Sequence, residues 1–368
     1  MARVRIGVVG CGAIAQVQHL PFLAELAEEF EVSVVCDVSP SLAKYVANWF
    51  HVPRYVTDYR DVLASDVDAV LLCQTDPKTE VAVASFNAGK HVFIEKPMCF
   101  SLEETDAIVA AAQESGKVGQ VGYVKLYEPA FEAALQEVRT MEDIRFIQVN
   151  HLHPDNSLHV RQFRTRRFDD IQGDVLEKTQ IARKDAMRAA IGDVSPHAER
   201  AFFTLSGSMI HDLYGLRVLF GVPVRVVNTD VWNEGRAVNT ILEYADGHRC
   251  VATWVDLPKL WDFYETLEVY GSSKRVIVSY ATGFSRGVSK LTVQEIDSDG
   301  RSVRKQPEMD WESPFRRELR HFHDCIANGV TSRSPVASAR DDISLIIDIT
   351  KAYVAGSPVI RSVAAMSA

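Results

Sequence analysis

Two short stretches of this chain have the residue types for phosphate binding and for proton transfer. The first is Gly10-Cys11-Gly12-Ala13-Ile14-Ala15, entered directly from the apolar run Val4 to Val9. A strand feeding G-x-G-x-x-A is the phosphate-binding turn of a dinucleotide fold. Gly10 permits the tight turn, Gly12 lets a pyrophosphate approach the backbone, and Ala15 lets the next helix pack closely on the strand. That helix, opening through Ala13 and Ile14, offers free N–H groups and the positive end of its dipole to phosphate. The second stretch is Glu95-Lys96-Pro97, which ends an apolar run beginning at His91. In an open α/β sheet, ligands sit beyond the carboxyl ends of the strands, which directs Lys96 towards the cofactor. Pro97 fixes its own φ and restricts the residue before it, so the amine is placed reproducibly. A lysine desolvated there can exchange a proton with a substrate hydroxyl.

Between them, Glu31 to Cys36 reads as a second strand ending at Asp37. A carboxylate at that tip accepts both hydroxyls of an adenosine ribose and repels a 2′-phosphate, which favours NAD over NADP. Val38 to Ala43 contains no arginine to accommodate NADP. The alternative is that Asp37 caps the helix beginning near Pro40, a role for which Ser39 competes.

These residues need a scaffold, and the pattern of the first 120 residues supplies one. Strands are expected at 3–9, 31–36, 68–73, 91–94 and 118–121, with helices near 14–29, 40–50, 79–88 and 102–115. Such alternation predicts an α/β Rossmann domain over residues 1–124, a parallel sheet covered by helices on both faces. Beyond it come a helix (Pro129 to Val138), a strand (Ile144 to His151) and a charged, helix-like stretch over 167–200. Strands follow at 224–234, 237–245, 248–256, 264–270, 275–280 and 290–296, and helices near 314–328 and 338–354 close the chain. Runs of strands after a βαβ half predict an α+β domain over 125–368, built on a large, mostly antiparallel sheet.

Composition narrows the partners. The 368 residues are 47% hydrophobic and 24% charged, with a net charge of -9. That balance argues against nucleic acid or an anionic membrane as the main partner. No apolar stretch reaches membrane-spanning length, and the N-terminus enters a strand at once, leaving no room for a signal peptide. The six cysteines show no C-x-x-C spacing; they read as reduced, buried thiols of a cytoplasmic protein, and no metal site is expected.

The glycine turn, together with Ala88-Gly89-Lys90-His91-Val92-Phe93-Ile94-Glu95-Lys96-Pro97, resembles the Gfo/Idh/MocA oxidoreductases, the family of glucose–fructose oxidoreductase and inositol dehydrogenase. Gly122-Tyr123-Val124-Lys125-Leu126-Tyr127-Glu128-Pro129 is similar to the family's crossing into its second domain. His211-Asp212, followed by Leu216 to Gly221, is similar to its substrate-side helix, and Phe322 with Arg340-Asp341-Asp342 to its chain end. The resemblance implies hydride exchange between a sugar or cyclitol carbon and C4 of the nicotinamide. It implies Lys96 as the catalytic lysine, His211 as the histidine at the substrate, and Glu95 near the nicotinamide ribose. From its residues alone, a lone helical histidine such as His211 is more often structural.

Two positions depart from the family. The aspartate usually found four residues before the histidine is Gly207, and the histidine usual after the third strand is Lys78. Lys125, flanked by Tyr123 and Tyr127, is the candidate substitute and resembles the lysine of a Tyr-x-Lys-x-Tyr variant; surface charge is the alternative. Tyr127, His153 and Asp155 complete the candidate substrate contacts. The expected activity is an NAD-dependent dehydrogenase of a sugar, glycoside or cyclitol. An enzyme that retains NAD while processing a glycoside, and a non-catalytic NAD-binding regulator, are the alternatives. Ile241-Leu242-Glu243-Tyr244 and Val251-Ala252-Thr253-Trp254-Val255 place large apolar residues on both faces of the second sheet. That pattern predicts a homodimer or homotetramer through it.

Overall fold

The apolar run at the N-terminus becomes an interior strand of a six-stranded sheet in the computed structural model, which describes residues 3–361. The strands are β1 (Val4–Val9), β2 (Phe30–Cys36), β3 (Tyr55–Val56), β4 (Ala69–Leu72), β5 (His91–Glu95) and β6 (Gly119–Gly122). Their order is β3-β2-β1-β4-β5-β6, and every pair is parallel. All of β4 is buried, as befits a strand covered on both faces. The Rossmann expectation is borne out.

The helices begin and end where local chemistry directs. Ser39 accepts from Leu42 N–H at the start of the helix Pro40–Trp49. Ser101 and Glu104 form a reciprocal capping box on Leu102–Ser115, which Gly116 ends at φ 63. The helix expected over 14–29 is instead a π-helical turn, Ala15–His19, followed by an α-helix, Leu20–Glu25. Strand β3 and the helix Tyr59–Leu63 had no sequence expectation, being too short to show a period.

Two compact units emerge, and they are not the contiguous segments 1–124 and 125–368. The first comprises the chain up to Val124 together with Val160–Gly192 and Phe315–Ile343; the second holds Lys125–His159, Asp193–Pro314 and the chain from Ser344. Packing explains the return to the first unit. Leu319 and Phe322 of the helix Pro314–Asn328 are fully buried in one core with Ile6, Val8, Leu71 and Phe93.

The second unit is built on nine strands: β7 (Phe146–His153), β8 (Arg225–Trp232), β9 (Ala237–Glu243), β10 (Arg249–Asp256), β11 (Tyr264–Tyr270), β12 (Lys274–Tyr280), β13 (Lys290–Ile296), β14 (Ser302–Lys305) and β15 (Val359–Ile360). They run in the order β14-β13-β12-β11-β7-β10-β9-β8-β15. Only β7 and β10 pair in parallel, so the mostly antiparallel sheet expected from the sequence is present. Register places Trp254, His151, Glu265 and Tyr280 in one transverse row across β10, β7, β11 and β12. All four are buried. The six cysteines are free and buried, and among the described residues no helix is long and apolar enough to cross a membrane.

Candidate active site

The first unit assembles the dinucleotide turn as the motif requires. Gly10 has φ +91, and a Cβ there would lie 2.3 Å from the backbone nitrogen of Gln74, so only glycine fits. A Cβ on Gly12 would meet nothing within 4 Å, which leaves the backbone open to an approaching phosphate. The side-chain amide of Gln74 is buried without a hydrogen-bond partner. Asp37 joins this turn directly: its carboxylate accepts from Cys11 N–H at 2.8 Å and from Ser39 N–H at 2.9 Å. Burial raises the Asp37 carboxyl above its ordinary value against the pull of those two donors. Ser39, not Asp37, caps the following helix. An open cradle at Gly12, an unpartnered polar side chain beside Gly10 and a carboxylate at the tip of β2 all fit a dinucleotide. Gly10 to Ala15 with Asp37 would hold it.

Lys96 follows the last residue of β5, and the Lys96–Pro97 peptide is cis. Burial and the neighbouring Lys78 ammonium hold its amine below the usual lysine range, while Glu95 and Asp76 pull the other way. Lys78 is itself buried. It pairs with Asp76 at 2.5 Å and donates to the Pro97 carbonyl at 3.0 Å. Glu95 is buried and bonded to His19 Nε2 at 2.6 Å. Burial alone would raise that carboxyl, but His19, Lys96 and Lys78 bring it below its ordinary value. Glu95 is therefore held in its anionic form. Neither His19 nor the contact of Lys78 was foreseen; His19 gives no sign in a buried turn, whereas the departure at Lys78 did.

The second unit gathers a buried polar cluster that is largely invisible in the sequence. His151 Nδ1 lies 2.7 Å from Asp212 Oδ2 and 3.6 Å from Glu265 Oε1. The Lys125 ammonium pairs closely with Glu265, lies 3.7 Å from Asp212 and stands 4.3 Å above the Tyr280 ring. Lys125 is thus buried, not a surface charge. His151, Asp212 and Glu265 bring three possible ligand atoms within 4.8 Å of one another. Lys125 already supplies a cationic charge there. His153 Nδ1 reaches His151 Nε2 at 3.0 Å, and Trp254 Nε1 donates to Ser208 Oγ, itself 3.3 Å from His151 Nε2. Ser208 is aimed by a second π-helical turn, Leu205–Met209, which also contains Gly207.

His211 is partly buried, and its Nδ1 lies 2.9 Å from the Tyr214 hydroxyl, which also accepts the Lys125 N–H at 3.0 Å. Tyr127 is fully buried. Asp155 is exposed and accepts the Ser157 N–H at 2.8 Å at the start of the helix Ser157–Val160. Lys125, His153 and His211 are therefore linked through Asp212, which the His211-Asp212 motif contains, and through His151 and Tyr214, which no motif singled out.

The description of the family model that matches residues 4–123 is an oxidoreductase family with an NAD-binding Rossmann fold. A relative from Shouchella clausii, inositol 2-dehydrogenase/D-chiro-inositol 3-dehydrogenase, is 37% identical over 132 residues, which is 35% of this chain and 38% of that protein. The chain matches about two-fifths of the length of such curated relatives. Aldose-aldose oxidoreductase from Caulobacter crescentus, solved with glycerol, superposes with a TM-score of 0.74 at 20% identity, covering 98% of this chain and 100% of that one. UDP-N-acetylglucosamine 3-dehydrogenase from Acidithiobacillus ferrooxidans gives 0.70 at 19% identity, covering 96% and 99%. These solved structures share the fold over both units. Over residues 4–123 the chain is similar to the NAD-binding Rossmann domain of this oxidoreductase family.

Proposed function

We propose that this protein is an NAD-dependent dehydrogenase that oxidises a secondary alcohol of a sugar, glycoside or cyclitol. The observation that carries the reading is the placement of Lys96 directly after β5 and before Pro97, among the buried Glu95 and Lys78; burial and Lys78 also shift its amine down. The dinucleotide, when bound, supplies the hydride acceptor. The protein's own part is proton transfer and orientation. A lysine with a lowered pKa has more of its neutral form at working pH, so it can take the alcohol proton as a general base. Glu95, kept ionised by His19, limits how far that shift goes. Asp37 supports NAD over NADP, because both its oxygens are directed by backbone N–H groups at the tip of β2.

His211 serves as a hydrogen-bond donor. In this reading the Tyr214 hydroxyl, which accepts the Lys125 backbone N–H, donates to His211 Nδ1, so that the imidazole proton sits on Nε2. That tautomer can donate to a substrate oxygen. Lys125 balances Asp212 and Glu265; a protonated His151 would neutralise the second carboxylate and pass a donor on to His153. Tyr127, His153 and Asp155 remain the substrate contacts of this reading. The named relatives act on inositol, aldoses and a nucleotide sugar, all polyhydroxylated rings, which supports the substrate class.

A panel of sugars, cyclitols and glycosides, with NAD and NADP and followed by nicotinamide absorbance, tests the activity. Turnover of a glycoside without added NAD would favour the retained-cofactor alternative, and binding without turnover of any member the regulator. The protein associates, in this reading, through the half-buried face of the nine-stranded sheet that carries Ile241, Val251 and Val255. A monomeric mass by light scattering at micromolar concentration would refute that part.

A further inference from the structure

The segment 161–172, whose residues from 167 on the sequence reads as charged and helix-like, is irregular and belongs to the first unit. It is tied to the dinucleotide-binding elements at three places. Gln16, in the turn after the glycine motif, accepts from Arg166 N–H at 2.9 Å and donates to the Arg166 carbonyl at 3.1 Å. The same Gln16 nitrogen donates to the Cys11 carbonyl inside the glycine turn at 2.8 Å. Tyr45 donates to the Arg164 carbonyl at 3.3 Å, and its ring lies 6.1 Å from that of Phe168. Asp170 takes the hydroxyl of Ser39 on one oxygen and the Ser41 N–H at 2.9 Å on the other.

Those last contacts matter because of where they fall. Ser39 and Ser41 lie at the start of the helix Pro40–Trp49, two and four residues beyond Asp37. In this fold the tip of the second strand meets the adenosine ribose, and the first N–H groups of a helix are anion donors. Asp170 has taken a hydroxyl and an N–H of that set with a carboxylate of its own. Ser39 and Ser41 hold that carboxyl below its usual range, and its charge is one of the causes that raise Asp37.

We propose that Asp170 is a second determinant of cofactor choice, excluding a 2′-phosphate by the negative charge it holds on the Ser39 and Ser41 donors beside Asp37. This rests on the reading that Gly10 to Ala15 and Asp37 bind a dinucleotide. A 2′-phosphate would have to displace one carboxylate while facing another. A 2′-hydroxyl needs only Asp37, and leaves Asp170 where it is. The segment thus adds to the strand tip a negative charge that no local motif contains.

Calorimetric titration of the full-length protein with NADH and NADPH tests this. Asn at position 170 keeps an acceptor for Ser41 N–H and a polar partner for Ser39, so Asp170→Asn removes charge while leaving the segment tied. NADPH should tighten about tenfold in Asp170→Asn, with NADH changed less than about threefold. Tyr45→Phe, which loosens the segment without altering charge, should leave the NADH-to-NADPH ratio unchanged. The proposal fails if Asp170→Asn keeps the original ratio while Asp37→Ser narrows it; Asp170 would then only fasten the segment, and the dinucleotide reading would stand. An unmodified protein that binds neither nucleotide would overturn that reading and the proposal with it. Tighter binding of NADPH than NADH by the unmodified protein would overturn the proposal and the NAD preference assigned to Asp37, and leave the dinucleotide reading standing.

Discussion

The Tyr214 hydroxyl stands between Lys125 and His211, accepting the N–H of one at 3.0 Å and meeting Nδ1 of the other at 2.9 Å. One phenol thereby anchors the backbone at the start of the second unit and contacts the proposed substrate histidine, whose tautomer it would set by donating to Nδ1. Tyr214→Phe should cost about 1–2 kcal/mol of stability, since a buried N–H loses its acceptor. It should also lower kcat/KM about five- to tenfold by releasing the imidazole to its other tautomer. A pH–rate profile distinguishes the effects: an unchanged profile with lowered stability would show that Tyr214 only supports the fold.

Lys125 is held among Asp212, Glu265 and the Tyr280 ring. Replacing it with methionine leaves two buried carboxylates facing each other, a change that typically costs about 3–5 kcal/mol. Lys125→Met should therefore melt well below the unmodified protein, and adding Glu265→Gln should recover much of the loss. If the single variant melts normally, the ion pair carries no weight in the fold. Activity of the double variant then reports whether Lys125 does more than balance charge.

Acid should weaken the fold through His91. Burial, with help from Lys117, lowers its pKa to about 4 from 6.5, and its Nδ1 accepts the Val118 N–H at 3.0 Å. Protonation removes that acceptor. Between pH 6.5 and about 4 the unfolded chain binds more protons than the folded one, so stability is full above that window and falls as pH drops through it. Because the ring is partly exposed, a loss on the order of 1 kcal/mol is expected. His91→Gln should flatten the fall in melting temperature between about pH 7 and pH 4.5; parallel curves for the two proteins would refute the assignment.

What could be read from the sequence follows from range. The glycine turn, the tip of β2 and the end of β5 are local patterns, each written within a few residues of the element that positions it. The helix Pro314–Asn328 was legible as a helix but not as part of the first unit, because Leu319 and Phe322 declare only that one face is apolar. The cluster at His151 was least legible, since Lys125, His151, Asp212 and Glu265 come from four separate elements. A faint signal existed. His151 continues the buried positions Ile147 and Val149 of β7, and Glu265 precedes the buried Leu267 and Val269 of β11. A polar residue on the buried face of an alternating strand needs a partner, and register makes these two direct neighbours. Gly207, noted for what it lacks, has open space where a side chain would project.

The central claim is that Lys96 moves the proton and does little to hold the dinucleotide. The direct test is Lys96→Ala, with NADH affinity and turnover measured on the same preparation and an identified substrate. The account predicts a dissociation constant within about threefold of the unmodified protein and a kcat lower by about 10² to 10⁴. Full turnover by Lys96→Ala would contradict it.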